Sequence, residues 1–183
     1  MAPRQMTDHT LEAPKGWFRP HAVDYQAKFD ATQLATISGG VAFAGRVVHL
    51  ASDGEFEFGI GNRHMALFLF QNSDDPDVSN DGGDPSTDAH AWVPVAPTGK
   101  LNALVATGAY ELASTEFNTA LTYNPNDCLT AATGTTLATA GVLTNASAVP
   151  YTNPVCGVVS KGVQTNSHGK SELHFWPIYL PVA

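Results

Sequence analysis

The sequence predicts an all-β protein: a β-sandwich or barrel of short antiparallel strands over residues 36–183, preceded by an extended N-terminal arm over residues 1–35. Three observations lead there. From residue 36 onward, β-branched and aromatic residues occur in short runs separated by turn signals such as NPND, TG, AG, TN and TNP. That spacing, roughly one turn every ten residues, is the pattern of a sandwich or barrel. EFEFGI, residues 55–60, alternates strictly, with Glu55 and Glu57 on one face and Phe56, Phe58 and Ile60 on the other. Few segments past residue 36 carry the 3.6-residue apolar period that a helix needs to bury one face.

The elements follow in chain order. Pro3, Pro14 and Pro20 break up the arm, and Trp17, Phe18 and Tyr25 stand among polar residues, with one helical turn expected near 24–35. Aromatic side chains in an arm need a place to bury, either the protein's own body or a neighbouring subunit. Ser52-Asp53-Gly54 signals a hairpin into EFEFGI. MALFLFQ, residues 65–71, is a continuous apolar run, as a strand covered on both faces shows. In KLNALVATGAYELA, Thr107-Gly108 interrupts what would otherwise read as a helix, which favours two strands. The Ala/Thr/Gly-rich stretch 131–148 is anchored by Leu137, Val142 and Leu143, and is read as strand and loop.

The chain closes on HFWPIYLPVA. Leu173, Phe175, Pro177 and Tyr179 fall on one face; His174, Trp176, Ile178 and Leu180 fall on the other. Both faces are apolar enough to need cover. Pro177 and Pro181 suit an edge strand protected from open-ended pairing. One face then closes the domain, and the other, with Trp176 and Ile178, is expected at a subunit contact. The competing reading buries both faces within one domain.

Composition excludes several functions. Charged residues make up 14% of the chain, against about 25% in an average soluble domain. So charge-poor a surface suits a protein packed against other proteins. The formal net charge of -8 and the absence of any Lys/Arg run argue against nucleic acid and against an anionic membrane surface. No apolar stretch approaches the about 20 residues of a membrane span. No secretory signal is visible, so the chain is expected to be made in a cytoplasm and to stay soluble. Cys128 and Cys156 form neither a CxxC pair nor a zinc spacing; two buried thiols are the commoner arrangement, and a disulfide stays open.

Catalytic motifs are missing. GVVSKG puts Ser160 at the wrong spacing for a nucleophile elbow. APTGKL has Pro94 and Leu101 where a phosphate loop needs Gly and Ser/Thr. Glu55 and Glu57 are explained by an exposed strand face, and His64, His90, His168 and His174 share no ligand spacing. The acidic loop 71–91 comes nearest to a site. Counted from Asp77, Ser79, Asp81, Gly82 and Asp88 fall on calcium-loop positions, but Asp replaces the terminal Glu, and Pro76 and Pro85 disfavour the flanking helices. No metal, cofactor or catalytic residue is assigned.

YNPNDCLTAATGTTLATAGVLTN, residues 123–145, and NPVCGVVSKGVQTNSHGKSELHFWPIYLP, residues 153–181, resemble the capsid decoration or cement proteins of tailed bacteriophages. The turn and strand Asn126-Asp127-Cys128-Leu129-Thr130, the strand Gly141–Thr144, the strand Gly157–Val159 and the apolar closing strand carry the likeness. GGVAFAGRVVHLASDGEFEFGIGNRHMALFLFQNSDD resembles the first strands of such proteins, so the resemblance covers about residues 36–181. The resemblance implies a homo-oligomer, trimer or dimer, on the outer surface of an icosahedral head. There it would clamp adjacent subunits of the major capsid protein, with no enzymatic activity. Trp17, Phe18, Tyr25, Trp176 and Ile178 are the contact residues expected on this reading, aromatics being the side chains that carry interface energy.

A second reading makes the β domain a carbohydrate- or receptor-binding module of a phage particle, with Trp92 and Tyr110 exposed for stacking on sugar rings and calcium in the acidic loop. A hydrolase with dispersed catalytic residues is a third, which no residue pattern favours.

Overall fold

The computed structural model describes residues 11–15, 24–36, 42–61, 65–70 and 100–181, the last with short breaks at 109, 133, 135, 137–138, 147–150 and 167–168. Trp17, Phe18, Trp92, the acidic loop, His64, His90 and His168 lie outside these residues.

The chain is an all-β sandwich. Among the described residues eleven strands run in the order β1 (Leu11–Lys15), β2 (Asp24–Ala27), β3 (Val47–Leu50), β4 (Phe56–Phe58), β5 (Leu67–Leu69), β6 (Leu101–Val105), β7 (Glu111–Ser114), β8 (Cys128–Ala131), β9 (Leu143–Asn145), β10 (Val155–Thr165) and β11 (Ser171–Leu180). A six-stranded sheet has the order β1-β7-β11-β10-β8-β9, and a five-stranded sheet the order β2-β6-β5-β3-β4. Every strand pair is antiparallel. A helix, α1 (Ala31–Thr36), follows β2. The region read as an arm thus supplies one strand to each sheet, and the helical turn expected near 24–35 is confined to its second half.

Alternation sorts the side chains into two cores. Val47, Phe68 and Leu104 of the five-stranded sheet meet Leu112, Leu129, Val159, Leu173 and Phe175 of the six-stranded sheet. The rings of Phe68 and Phe175 lie 5.2 Å apart across that interior. The intervening residues Val48, Leu67, Leu69, Leu101, Ala103 and Val105 point the other way, into a second core closed by Phe29, Phe56 and Leu34 of α1. The five-stranded sheet is therefore covered on both faces, which is why β5 reads as unbroken apolar sequence.

Local signals act as expected at the turns. Ser52-Asp53-Gly54 joins β3 to β4, with Leu50 opposite Phe56 and Gly54 at φ +86°. Gly108 breaks the 100–114 stretch into β6 and β7. Cys128 and Cys156 are both free thiols. Burial pushes the Cys156 thiol far above its ordinary value. Tyr151 donates to Cys128 Sγ at 3.0 Å, and that bond raises the Tyr151 pKa.

The expected edge position of the closing strand needs correction. β11 lies inside the six-stranded sheet, between β7 and β10. β7 is short, however, and pairs only with Leu173, His174 and Phe175. Beyond them the ladder to β10 continues through Trp176, Pro177 and Leu180. Pro177 therefore falls where the β7 ladder has ended and a missing N–H costs no bond to it.

A polar knot joins the two sheets at one end. Arg46, just before β3, is 3% exposed; its Nε donates to Glu116 Oε2 at 2.7 Å and its Nη1 to the Ala140 carbonyl at 3.0 Å. Its guanidinium also lies over the rings of Phe43 and Phe58. Ser114 Oγ donates to the Gly45 carbonyl and accepts from the Glu116 amide. Gly141, at φ +69°, presses against this corner: a Cβ there would stand 2.5 Å from the Val47 carbonyl oxygen.

Removing one member of a buried ion pair strands the other charge, at about 3–5 kcal/mol. Glu116→Gln and Arg46→Met should each lower the urea-unfolding free energy on that scale. The double variant should lose less than the two losses summed, and strict additivity would show that the pair is uncoupled. Gly141→Ala, strained in backbone and space at once, should cost more than about 1 kcal/mol in the same assay.

Candidate functional site

Strand alternation gives the six-stranded sheet a second face, turned away from the sandwich interior. Leu173 and Phe175 of β11 enter the core, so Glu172, His174 and Trp176 point outward. Leu112 of β7 enters the core, which turns its neighbour Glu111 outward, and Val158 of β10 stands opposite Trp176. The register between β10 and β11 shifts between Val159 and Gly162, placing Ser160 and Lys161 at an irregularity in the strand.

These side chains form one polar cluster. Ser160 Oγ donates to Glu111 Oε1 at 2.6 Å, a bond from β10 to β7 that passes over β11. Lys161 Nζ lies 3.3 Å from Glu111 Oε1 and 3.4 Å from Oε2. His174 Nε2 is 2.8 Å from Glu172 Oε1, and His174 Nδ1 is 3.6 Å from Glu111 Oε1. Glu111 is 1% exposed, and Glu172 and His174 are each 6% exposed. Two of these buried atoms, His174 Nδ1 and Glu172 Oε2, have no hydrogen-bond partner.

Burial pushes the Glu111 pKa up, but the hydrogen bonds from Ser160 and Lys161, with the nearby positive charge, more than offset it and hold the carboxyl below the ordinary glutamate value. A carboxylate so stabilised is a poor base toward the hydroxyl it binds. Each His174 nitrogen faces a carboxylate, and neither is bonded to Ser160. The cluster ties β7, β10 and β11 together and leaves Ser160 without an activating imidazole.

Further along β11 the same face becomes apolar and open. Trp176 is 39% exposed and Ile178 half-buried beside it; the register to β10 then shifts between Pro177 and Leu180, and Leu180, past that irregularity, is 46% exposed. The Ile178 side chain rests against the backbone of Gly108. Of the expected contact residues, Trp176 and Ile178 thus share one face, Trp17 and Phe18 lie outside the described residues, and Tyr25 is placed in β2 by its backbone. Tyr110, expected to be exposed for stacking on sugar rings, is instead fully buried, and its hydroxyl donates to the Val105 carbonyl. It follows Gly108, where the chain turns inward to begin β7.

Asp30, Asp53 and Glu55 bring three carboxylates within 4.8 Å of one another. Asp30 Oδ1 accepts from the Gln33 amide and Asp53 Oδ1 from the Glu55 amide, so these oxygens serve the start of α1 and the β3–β4 turn. Glu57 pairs with His49 at 3.3 Å across β3 and β4. Among the described residues no helix is long and apolar enough to cross a membrane.

The fold and the two zones of this face define an all-β sandwich with a buried polar cluster beside an open apolar strip. Comparison with protein-family models, with curated proteins and with solved structures finds no match for this chain.

In the sequence His174 stands as one of several scattered histidines, and no local pattern marks Glu111 or Glu172. The alternation of Glu172 and His174 against Leu173 and Phe175 places the first two on one face, but Glu111 comes to them only through pairing between strands about sixty residues apart.

Because Glu111 is held below its ordinary pKa, its carboxylate contributes stability that is fully present above the unfolded value of 4.5 and is lost as pH falls toward the folded value. The stability gap between wild type and Glu111→Gln in urea should therefore be constant at neutral pH and narrow below about pH 4.5. A gap independent of pH down to 3 would mean that Glu111 acts through packing alone.

Proposed function

We propose that this protein is a structural, non-enzymatic component of a bacteriophage particle, a decoration protein that binds the outer surface of the head and clamps adjacent subunits of the major capsid protein. The observation that carries this reading is the exposed Trp176 on the outer face of the six-stranded sheet, with half-buried Ile178 beside it and exposed Leu180 at the end of the same strand. Such large apolar side chains, held on a rigid strand in a chain with few charges, suit the centre of a protein contact. The likeness of residues 36–181 to decoration proteins supplies the identity of the partner. Self-association as a dimer or trimer belongs to the same reading, since a symmetric oligomer multiplies the contacts each copy makes with a symmetric shell.

The mechanism is linkage. A protein that binds the assembled shell but not its dissociated subunits stabilises the shell by an amount set by affinity and occupancy.

Co-expression with the major coat protein of the same genome, followed by sedimentation of heads, tests the reading. The chain should pellet with heads at fixed stoichiometry and stay in the supernatant without them. Trp176→Ala, at a solvent-exposed position, should leave the unfolding transition within about 0.5 kcal/mol of wild type and lower head occupancy several-fold. Failure of the wild-type chain to pellet at micromolar concentration would overturn the capsid role.

A further inference from the structure

The ladder that joins β7 to β11 is only three residue pairs long, and β1 joins the six-stranded sheet through β7. His174 is the middle residue of that ladder, opposite Ala113. Its side chain stands on the outer face between carboxylates of two strands. Nε2 is 2.8 Å from Glu172 Oε1 on β11, and Nδ1 is 3.6 Å from Glu111 Oε1 on β7. Nδ1 has no hydrogen-bond partner: 3.6 Å is too long for such a bond, yet within reach of an ion pair. A neutral ring donating from Nε2 would turn a lone pair from Nδ1 toward the Glu111 oxygen. A ring with a proton on each nitrogen turns an N–H there instead, and both carboxylates then face a positive charge.

We propose that His174 is a proton-operated clasp: its charged form ties β7 to β11 through Glu111, and loss of one ring proton releases that tie. The groups that face it among the described residues come from three strands. β7 supplies Glu111, β11 supplies Glu172, and β10 supplies Ser160 and Lys161, both of which bind Glu111 rather than the imidazole. With the proton on, His174 and Lys161 balance Glu111 and Glu172. With the proton given up to water, one negative charge is left over among three nearly inaccessible side chains. Such a charge is costly, and the strands relieve it only by letting water reach the cluster. The part free to yield is the start of β7, where Glu111 sits. The other end of β7 is fixed separately, by Ser114 to the Gly45 carbonyl and by Glu116 to Arg46.

The clasp works between two limits. The Glu111 contribution is present above the ordinary 4.5 and is lost as pH falls toward its lowered folded value. The imidazolium contribution is present while the ring carries both protons and is lost as pH rises through the His174 transition. Cohesion of β7 with β11 therefore passes through a maximum in pH, which a packing contact would not show. The clasp is internal to one chain and does not depend on the capsid reading.

The test is NMR of the full chain across about pH 5 to 9, the range in which histidine ordinarily changes charge. Labelling histidine with 15N follows the two His174 ring nitrogens. Hydrogen exchange, corrected for its intrinsic pH dependence, follows the amides of β7, with those of β8 as reference. As His174 loses its proton, protection of Glu111–Ser114 should fall several-fold while that of Cys128–Ala131 stays level. His174→Gln should abolish that fall. Lys161→Met, at an exposed position, should deepen it, because no second cation then faces Glu111 among the described residues. This variant decides the matter even where His174→Gln fails to fold. A His174 ring whose protonation does not change over the range would overturn the clasp. So would β7 protection that stays level across the His174 transition, a fall that persists in His174→Gln, or one that Lys161→Met leaves the same size.

Discussion

The two sheets are joined at one end by a charge pair that has no water to fall back on. Arg46 and Glu116 are both nearly inaccessible, and Arg46 leads into a strand of one sheet while Glu116 follows a strand of the other. The desolvation cost of such a pair is repaid only when geometry and further hydrogen bonds are good. Here the guanidinium also holds the Ala140 carbonyl, and Ser114 secures Gly45 to the Glu116 amide. The corner therefore fixes how the sheets face each other, and with that the contact of Phe68 with Phe175 and the direction in which the outer face looks.

That fixed facing separates the two sheets by role. The five-stranded sheet spends both of its faces on burial, one against its partner sheet and one under Phe29 and α1. The six-stranded sheet commits only one face to the interior. Its other face is free to carry groups that folding alone does not require, and those are the groups found there: three buried ionisable residues followed by exposed Trp176. A polar cluster beside an apolar strip separates electrostatic and apolar interactions along one rigid strand pair, β10 and β11.

Most of the fold was legible in the sequence because its signals are local. The turn at Ser52-Asp53-Gly54, the break at Gly108 and the doubly covered β5 each follow from a few neighbouring residues. What was not legible is long-range pairing. β11 reads as an edge because of its prolines, yet β7 covers it for three residues, a contact that joins Leu112 to Phe175. The partners of Arg46 and Glu111 are equally remote in sequence, and charged residues in strands of this period read as solvent-facing. Tyr110 was misplaced for the same reason: nothing within a few residues of it says that the Val105 carbonyl will accept its hydroxyl.

The free thiol of Cys156 gives the sandwich an internal clock. It is fully buried, and its raised pKa leaves it almost wholly un-ionised at neutral pH, so a thiol reagent meets it only while the strands around it are apart. Cys128, half-buried at the start of β8, stands nearer to solvent. The chain thus carries two chemically identical groups whose modification rates differ by the frequency with which the core opens, and binding to another surface becomes visible as a slowing of the inner one.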